Sequence, residues 1–389
     1  MTPPDGSHQP VTPILIRGYD ALFKEQALMG VVDRVNISQR CNKGGSSYVV
    51  KNPTFHRDDN GTDKSLRNLT KYKEIISTLT QKRSWLPSQP LHEYQGFWCY
   101  PTFLEGIMSA QEHFIAQPTD IFTCTHPKCG TTWLKSLCFA VLTRRNFSDS
   151  SSNPLLTESP HEIVPWIDFL ASSGQTRDPE LPLLATHIPY TSLPESIVES
   201  NCKIIYTCRD PKDVFISLWQ FAGIVSGSRA EDFPLEEAYQ QFCEGVHPYG
   251  PYWDHILGYW KAHLQFPDGV LFIKYEDLKN DTFSYVKRMA EFMGCPFSME
   301  EESQGLVQKI VDLCSFESLS NLEVNKSKKR SSATGPFKLQ YDAFFRKGKI
   351  GDWENYLTVD MAAQLDQITE QKLSGTGLSF PTSYNSPVS

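Results

Sequence analysis

The chain has 389 residues, long for one domain and enough to bury a large core, with 40% hydrophobic and 12% aromatic residues. A formal net charge of −8 argues against nucleic acid as the main partner, which needs a basic footprint, yet allows an anionic ligand in a local basic pocket. Ten cysteines lie scattered, none in a Cys-x-x-Cys pair and several in apolar runs, which predicts free thiols in a reduced, cytoplasmic compartment.

Met1-Thr2-Pro3-Pro4-Asp5 has neither the basic start nor the apolar core of a signal peptide. No apolar run approaches the ~20 residues of a membrane span, so no membrane partner is expected. Residues 1–68 are polar and rich in Pro, Gly and Ser clusters, with one short helix expected over Ala21–Val35. They read as a poorly ordered or loosely packed extension, and residues 69–389 as the folded domain. Lys71–Leu79 carries apolar residues at helical spacing and opens that domain. The aromatic cluster of Tyr94, Phe97, Trp98 and Tyr100 reads as core packing.

From there β-like runs alternate with helices. The runs are Asp120–Thr125, Leu181–Ile188, Cys202–Cys208 and Gly269–Tyr275, short and apolar like buried parallel strands. Helices are predicted over Thr132–Arg145, Pro211–Ala222, Pro234–Val246, Tyr252–Gln265, Thr282–Met293, Ser303–Leu313 and Asp360–Leu373. The alternation predicts an α/β fold, a central mostly parallel sheet flanked by helices. Ligands of such sheets bind off the carboxyl ends of the strands. Asn325–Gln340, with the basic run Lys326–Arg330, reads as a loop.

The stretch Asp120–Lys135 is a strand, a tight loop and a helix, which presents backbone N–H groups and a positive helix end to an anion. Lys128 adds a mobile charge, and Thr131 and Thr132 add hydroxyls at the first turn. Walker A needs Gly-Lys-Ser/Thr in that order, and here Lys128 precedes Gly130. In the second stretch, Ile204–Trp219, Arg209 ends a strand beside a helix start and Ser217 lies two turns in, an arrangement suited to phosphate. A surface ion pair with a helix cap is the plain alternative. The third stretch, Phe344–Trp353, places Arg346 and Lys347 before Gly348, either an anion clamp or an exposed basic turn. The fourth, Leu184–Tyr190, sets His187 at the end of an apolar strand, where a histidine is either a satisfied core residue or a base.

Taken together, Pro127-Lys128-Cys129-Gly130-Thr131-Thr132-Trp133, Arg209-Asp210-Pro211 with Ser217, Thr186-His187-Ile188-Pro189 and Arg346-Lys347-Gly348 with Gly351-Asp352-Trp353 resemble the plant-type cytosolic sulfotransferases. These enzymes use 3′-phosphoadenosine 5′-phosphosulfate (PAPS) as donor. The resemblance covers residues from about 72 to 380 and implies a P-loop-like phosphosulfate-binding strand-loop-helix. It implies that Lys128, Cys129, Gly130, Thr131 and Thr132 hold the 5′-phosphosulfate. Arg209, Ser217, Arg346, Lys347 and Gly348 would then hold the 3′-phosphate, and Trp133, Tyr275, Ser315 and Phe316 the purine. His187 would be the base and Lys128 the stabiliser of the leaving phosphate. The implied acceptor is a hydroxylated small plant metabolite of flavonol, hydroxyjasmonate, brassinosteroid, desulfoglucosinolate or strigolactone-precursor type. Adenosine 3′,5′-bisphosphate (PAP) would be the product, and no metal is required.

Three variable loops, around Pro87–Leu104, Glu162–Gln175 and Ala222–Phe233, are expected over the acceptor. His126 stands where the family usually has Phe or Tyr, and Ala185 where many animal members have lysine. Glu354 and Ala363 flank Thr358-Val359 where animal enzymes carry a charged dimerisation pattern, which favours a monomer with a weak dimer as the other option. Rival readings are a P-loop small-molecule kinase, which lacks its Gly-Lys-Ser/Thr, and a non-catalytic nucleotide-binding homologue, which would ordinarily have lost Lys128 or His187.

Overall fold

The computed structural model describes residues 59–382, apart from 87–88, 148–151, 171–177, 179, 227–232 and 328–339. Most of the expected N-terminal extension, with the helix expected over Ala21–Val35, therefore lies outside the described residues, as do much of the loop expected over Asn325–Gln340 and parts of the three acceptor loops.

The chain enters through α1 (Asp59–Thr78), which begins well before the expected Lys71. A small antiparallel sheet follows, β1 (Gln81–Lys82), β2 (Leu91–Tyr94) and β3 (Phe97–Cys99). It occupies much of the first expected acceptor loop. Gln95 and Gly96 both take positive φ, 53° and 83°, which closes the two-residue hairpin between β2 and β3. Phe97, Trp98 and Tyr100 are buried, as the aromatic cluster predicts, and Tyr94 is half-buried. Pro101 then opens α2 (Pro101–His113), on which α1 docks through Lys71–Glu112 at 2.9 Å and a Tyr72 hydroxyl donating to the same carboxylate at 2.9 Å.

The main sheet is parallel: β4 (Ile121–Thr125), β5 (Leu183–Thr186), β6 (Lys203–Cys208) and β7 (Val270–Lys274), in the spatial order β5-β4-β6-β7. All four expected runs form it. Between strands run α3 (Thr131–Thr143), α4 (Pro160–Ile163), α5 (Glu195–Glu199), α6 (Pro211–Ser226), α7 (Leu235–Cys243) and α8 (Tyr252–Gln265). After β7 come α9 (Tyr275–Asn280), α10 (Thr282–Phe292), α11 (Met299–Ser303), α12 (Leu306–Leu313), α13 (Phe316–Asn321), α14 (Glu323–Ser327) and α15 (Val359–Leu373). The helix expected over Ser303–Leu313 forms as α12 and starts at Leu306, because Gly305 caps it at φ 69°; α11 precedes it, started by Ser298 with a reciprocal capping box to Glu301.

β5 and β6 both flank β4, so the chain turns opposite ways on leaving β4 and β5, which opens a crevice at the carboxyl end of β4. The register decides what enters it. Cys124 pairs with Thr186, Thr125 with Thr207, and Cys208 with Lys274. The residues just past these levels are therefore His126–Lys128, His187, Arg209 and Tyr275. Beneath them, α8 turns Tyr252, Trp253, His255, Ile256 and Tyr259 into the core, and Tyr259 stacks on Tyr206 with ring centroids 4.1 Å apart.

Candidate active site

The loop after β4 turns at Cys129, whose N–H donates to the His126 carbonyl at 3.2 Å. Lys128 takes φ 70°, uncommon for a residue with a Cβ, and this aims its side chain into the crevice. Gly130 caps α3 at φ 91°, and a Cβ there would lie 2.8 Å from the Tyr275 ring. Thr125 Oγ1 and Thr131 Oγ1 sit 2.7 Å apart, tying strand end to helix start. The unpaired N–H groups of the first turn of α3 then face an anion site.

A cavity of about 230 Å³ runs along this edge. Its lining includes Lys128, Gly130, Thr131, Thr132, Trp133, His187, Arg209, Ser217, Tyr275, Phe316, Arg346, Lys347 and Gly348. Cys129 and Ser315 do not line it. The Cys129 side chain is fully buried in the core, and Ser315 caps α13 by accepting from the Ser318 N–H at 3.1 Å.

One end is cationic. Arg209 pairs with Asp213 at 3.1 Å and donates to the Lys349 carbonyl at 2.6 Å. Asp213 also accepts from the N–H groups of Gly351 (2.9 Å) and Trp353 (3.2 Å), which locks the segment carrying Arg346 against α6. Asp352 pairs with Arg346 and, at 2.7 Å, with Lys347. Burial pushes the Lys128 ammonium down to about 7, and the Arg346 and Arg209 charges push the same way. Its Nζ rests 3.9 Å from the Phe221 ring centroid.

This end fits a doubly phosphorylated adenosine. Arg209 Nε and Arg346 Nε are buried with no hydrogen-bond partner, and so is the Trp133 indole N–H. Such orphaned donors are costly unless an acceptor arrives. Trp133 and Tyr275 meet edge to face at 5.6 Å. Opposite, a Cβ on Gly348 would collide with the Phe316 ring, so backbone and ring form a narrow wall.

The other end is aromatic. Its lining includes Trp85, Tyr100, Phe103, Phe169, Phe221 and Tyr249. His187 stands between the two. Its Nδ1 lies 2.6 Å from the Thr125 carbonyl and 3.2 Å from the Thr125 hydroxyl. A carbonyl oxygen only accepts, so the neutral ring carries its proton on Nδ1 and Nε2 is the basic nitrogen. Trp166 (4.6 Å between centroids) and Tyr249 (5.4 Å) box the ring. Asp168, which is buried, accepts from the Tyr249 hydroxyl at 3.3 Å, and burial lifts its pKa to about 6.

Several residues here carry no motif. His161 Nε2 lies 2.9 Å from Thr132 Oγ1, and His161 packs 4.3 Å from Phe344. Phe221 and Trp166 sit in ordinary apolar runs. His126 is fully buried and meets Tyr252, His247 and His255 edge on at 5.0–5.2 Å, so it fills an aromatic place with an imidazole. Burial first, then His255 and His247, hold it well below its ordinary pKa, so it stays neutral.

The model of a sulfotransferase domain matches residues 118–377. The chain is 49% identical over 315 residues to cytosolic sulfotransferase 17 of Arabidopsis thaliana, covering 80% of this chain and 90% of that one. It is 47% identical over 290 residues to flavonol 4′-sulfotransferase of Flaveria chlorifolia, covering 74% and 89%. Among solved structures, an Arabidopsis thaliana putative steroid sulphotransferase aligns with TM-score 0.64 and 37% identity over 85% of this chain and 99% of its own. A mouse sulfotransferase complexed with PAP aligns with TM-score 0.57 and 25% identity over 74% and 95%.

Proposed function

Because the chain belongs to the sulfotransferase domain family and is a PAPS-dependent sulfotransferase, we propose that it sulfates a phenolic or alcoholic hydroxyl of a small plant metabolite, with His187 as base and Lys128 at the leaving phosphate. The observation that supports this most is the His187 tautomer: Nδ1–H is committed to Thr125, which leaves Nε2 to take a proton beside the cavity.

PAPS supplies the sulfuryl group when bound. Lys128, the first-turn N–H groups of α3 and the Thr131 and Thr132 hydroxyls receive the charge that develops on the 5′ side. Arg209, Ser217, Arg346 and Lys347 grip the 3′ side, with Gly348 allowing close backbone approach. Trp133, Tyr275 and Phe316 wrap the purine. Cys129 acts through its backbone and Ser315 by capping α13, so neither needs a side chain in the cavity. His187 takes the acceptor proton at Nε2 while Thr125 holds the ring in register.

Of the acceptor classes, the aromatic wall favours a flat phenolic ring of flavonol type, which can stack on Phe103 and Phe169. The protein acts in the cytoplasm: relatives are named cytosolic, and among the described residues no helix is long and apolar enough to cross a membrane. It acts as a monomer, because Glu354 and Ala363 offer no complementary charged pair around Thr358-Val359. Isotopically labelled PAPS with a panel of hydroxylated metabolites tests the reading. Label transfer to a phenol is expected. A folded protein with no micromolar affinity for PAP would overturn it.

A further inference from the structure

Lys135 lies on α3, three and four residues past Thr132 and Thr131, and is fully buried. It does not line the cavity. Its ammonium donates to the Val164 carbonyl at 3.0 Å and sits 3.6 Å from the Trp166 ring centroid. Trp166 is itself buried and packs 4.6 Å from His187. The backbone repeats the connection: Trp166 bridges Ala185, and the Ala185 N–H donates to Pro165 at 2.9 Å, two residues before the histidine. A cation, an indole and an imidazole thus sit in sequence between the phosphosulfate helix and the base. Burying an ammonium here costs more than burying an apolar side chain of the same length, so packing alone does not explain it.

We propose that Lys135 is a positioning residue for the base: it pins the Val164–Trp166 segment and, through the Trp166 indole, both seats the His187 ring and disfavours its protonated form. This rests on His187 being the base. The sign follows from charge. A nearby cation penalises imidazolium, so His187 stays in its proton-accepting form at lower pH than it would alone. The other groups facing the ring leave that effect visible. Burial holds His255 down to about 4, and His126 is held well below its ordinary value, so both are neutral. Burial keeps Tyr249 protonated. Asp168 opposes Lys135 with a negative charge above about pH 6.

The test uses Lys135→Met, which keeps length and drops charge, and Lys135→Gln, which keeps a donor for Val164. In Lys135→Met, kcat at pH 7 should fall ~10-fold with KM for PAPS little changed, because the ring is misplaced by a fraction of an ångström. The acidic limb of kcat/KM should move up by about half a pH unit. Lys135→Gln should recover most of kcat and keep the moved limb. Lys135→Gln, which keeps a donor, should melt near the parent, and Lys135→Met, which leaves the buried Val164 carbonyl without its donor, should melt lower but stay folded. An unmoved limb with parental kcat in folded Lys135→Met overturns the proposal. If His187→Gln abolishes the limb while Lys135→Met leaves it in place, this inference alone fails. If His187→Gln keeps full turnover, both readings fail.

Discussion

The two ends of the cavity are built by opposite means. The cationic end, which we propose takes the donor, collects cations and backbone donors from four separate segments, the β4 loop, the start of α6, α9 and the stretch from Phe344 to Trp353. It leaves the Nε atoms of Arg209 and Arg346 without an acceptor. The aromatic end, proposed for the acceptor, is a wall of rings whose polar atoms are few. One end is defined by unmet electrostatic demand, the other by shape. Damage should therefore spread differently: changes at the donor end should lower activity towards every acceptor, and changes at the wall should re-rank acceptors and leave donor binding alone.

The sharpest break comes at the junction. His187→Ala and Lys128→Ala should each lower kcat by ~10²-fold or more, for every acceptor equally, with the melting temperature nearly unchanged. Steady-state kinetics on two unlike phenols measures this. A loss confined to one acceptor would place the residue on the wall instead.

Next in size is the 3′ grip. Arg346→Ala removes a cation with a buried, acceptor-less Nε and should weaken PAP binding by about 2 kcal/mol, roughly 30-fold, by calorimetry. Asp352, which also pairs with Lys347, keeps the segment in place, so the fold should survive. Unchanged PAP affinity would remove Arg346 from the donor end.

The contrast also explains what was legible in the sequence. Phosphate chemistry calls for particular side chains at short fixed spacings, so Lys128, Arg209, Ser217 and Arg346 stand out, and all four line the cavity; His187 stands out as a lone histidine at the end of an apolar strand. The strands were equally plain, because buried parallel strands are continuous apolar runs. Phe221 carries no signal, since one aromatic in an apolar helix looks the same whether it faces core or ligand; Trp166 and Phe344 fall inside stretches singled out on other grounds, the loop expected over Glu162–Gln175 and the stretch Phe344–Trp353, with no role of their own read there. The hairpin at Gln95-Gly96 was hidden by its length: β2 has four residues and β3 three, too short for an alternation to declare itself. The start of α12 at Leu306 and not Ser303 turns on one glycine, Gly305, whose positive φ lies outside the helical region.

A smaller effect tests the electrostatics directly. With Lys128 held near 7 by burial and by two arginines, a bound anion should raise its pKa, because opposite charge favours the ammonium. Binding between about pH 7 and that raised value must then take up a proton, and PAP affinity should decline as pH rises through this window. Well below pH 7 the lysine is already charged and contributes no uptake. Calorimetry at pH 8 in buffers of different ionisation enthalpy should show uptake approaching one proton, which Lys128→Met abolishes. Equal heats in all buffers would refute the shared desolvation.

The smallest expected effect is the one that most cleanly isolates the wall. Phe103 stacks on Tyr249 at 5.5 Å and packs 5.6 Å from Phe169, and Tyr249 in turn touches His187. Phe103→Leu keeps apolar bulk and removes the ring face, at a cost of about 1 kcal/mol of stacking. Acceptor KM should rise several-fold for a flat phenol and hardly at all for an aliphatic alcohol, while PAP affinity stays put. A matching loss of PAP affinity would mean that the two ends are coupled through Tyr249 and His187, and that the division between charge and shape does not hold at their boundary.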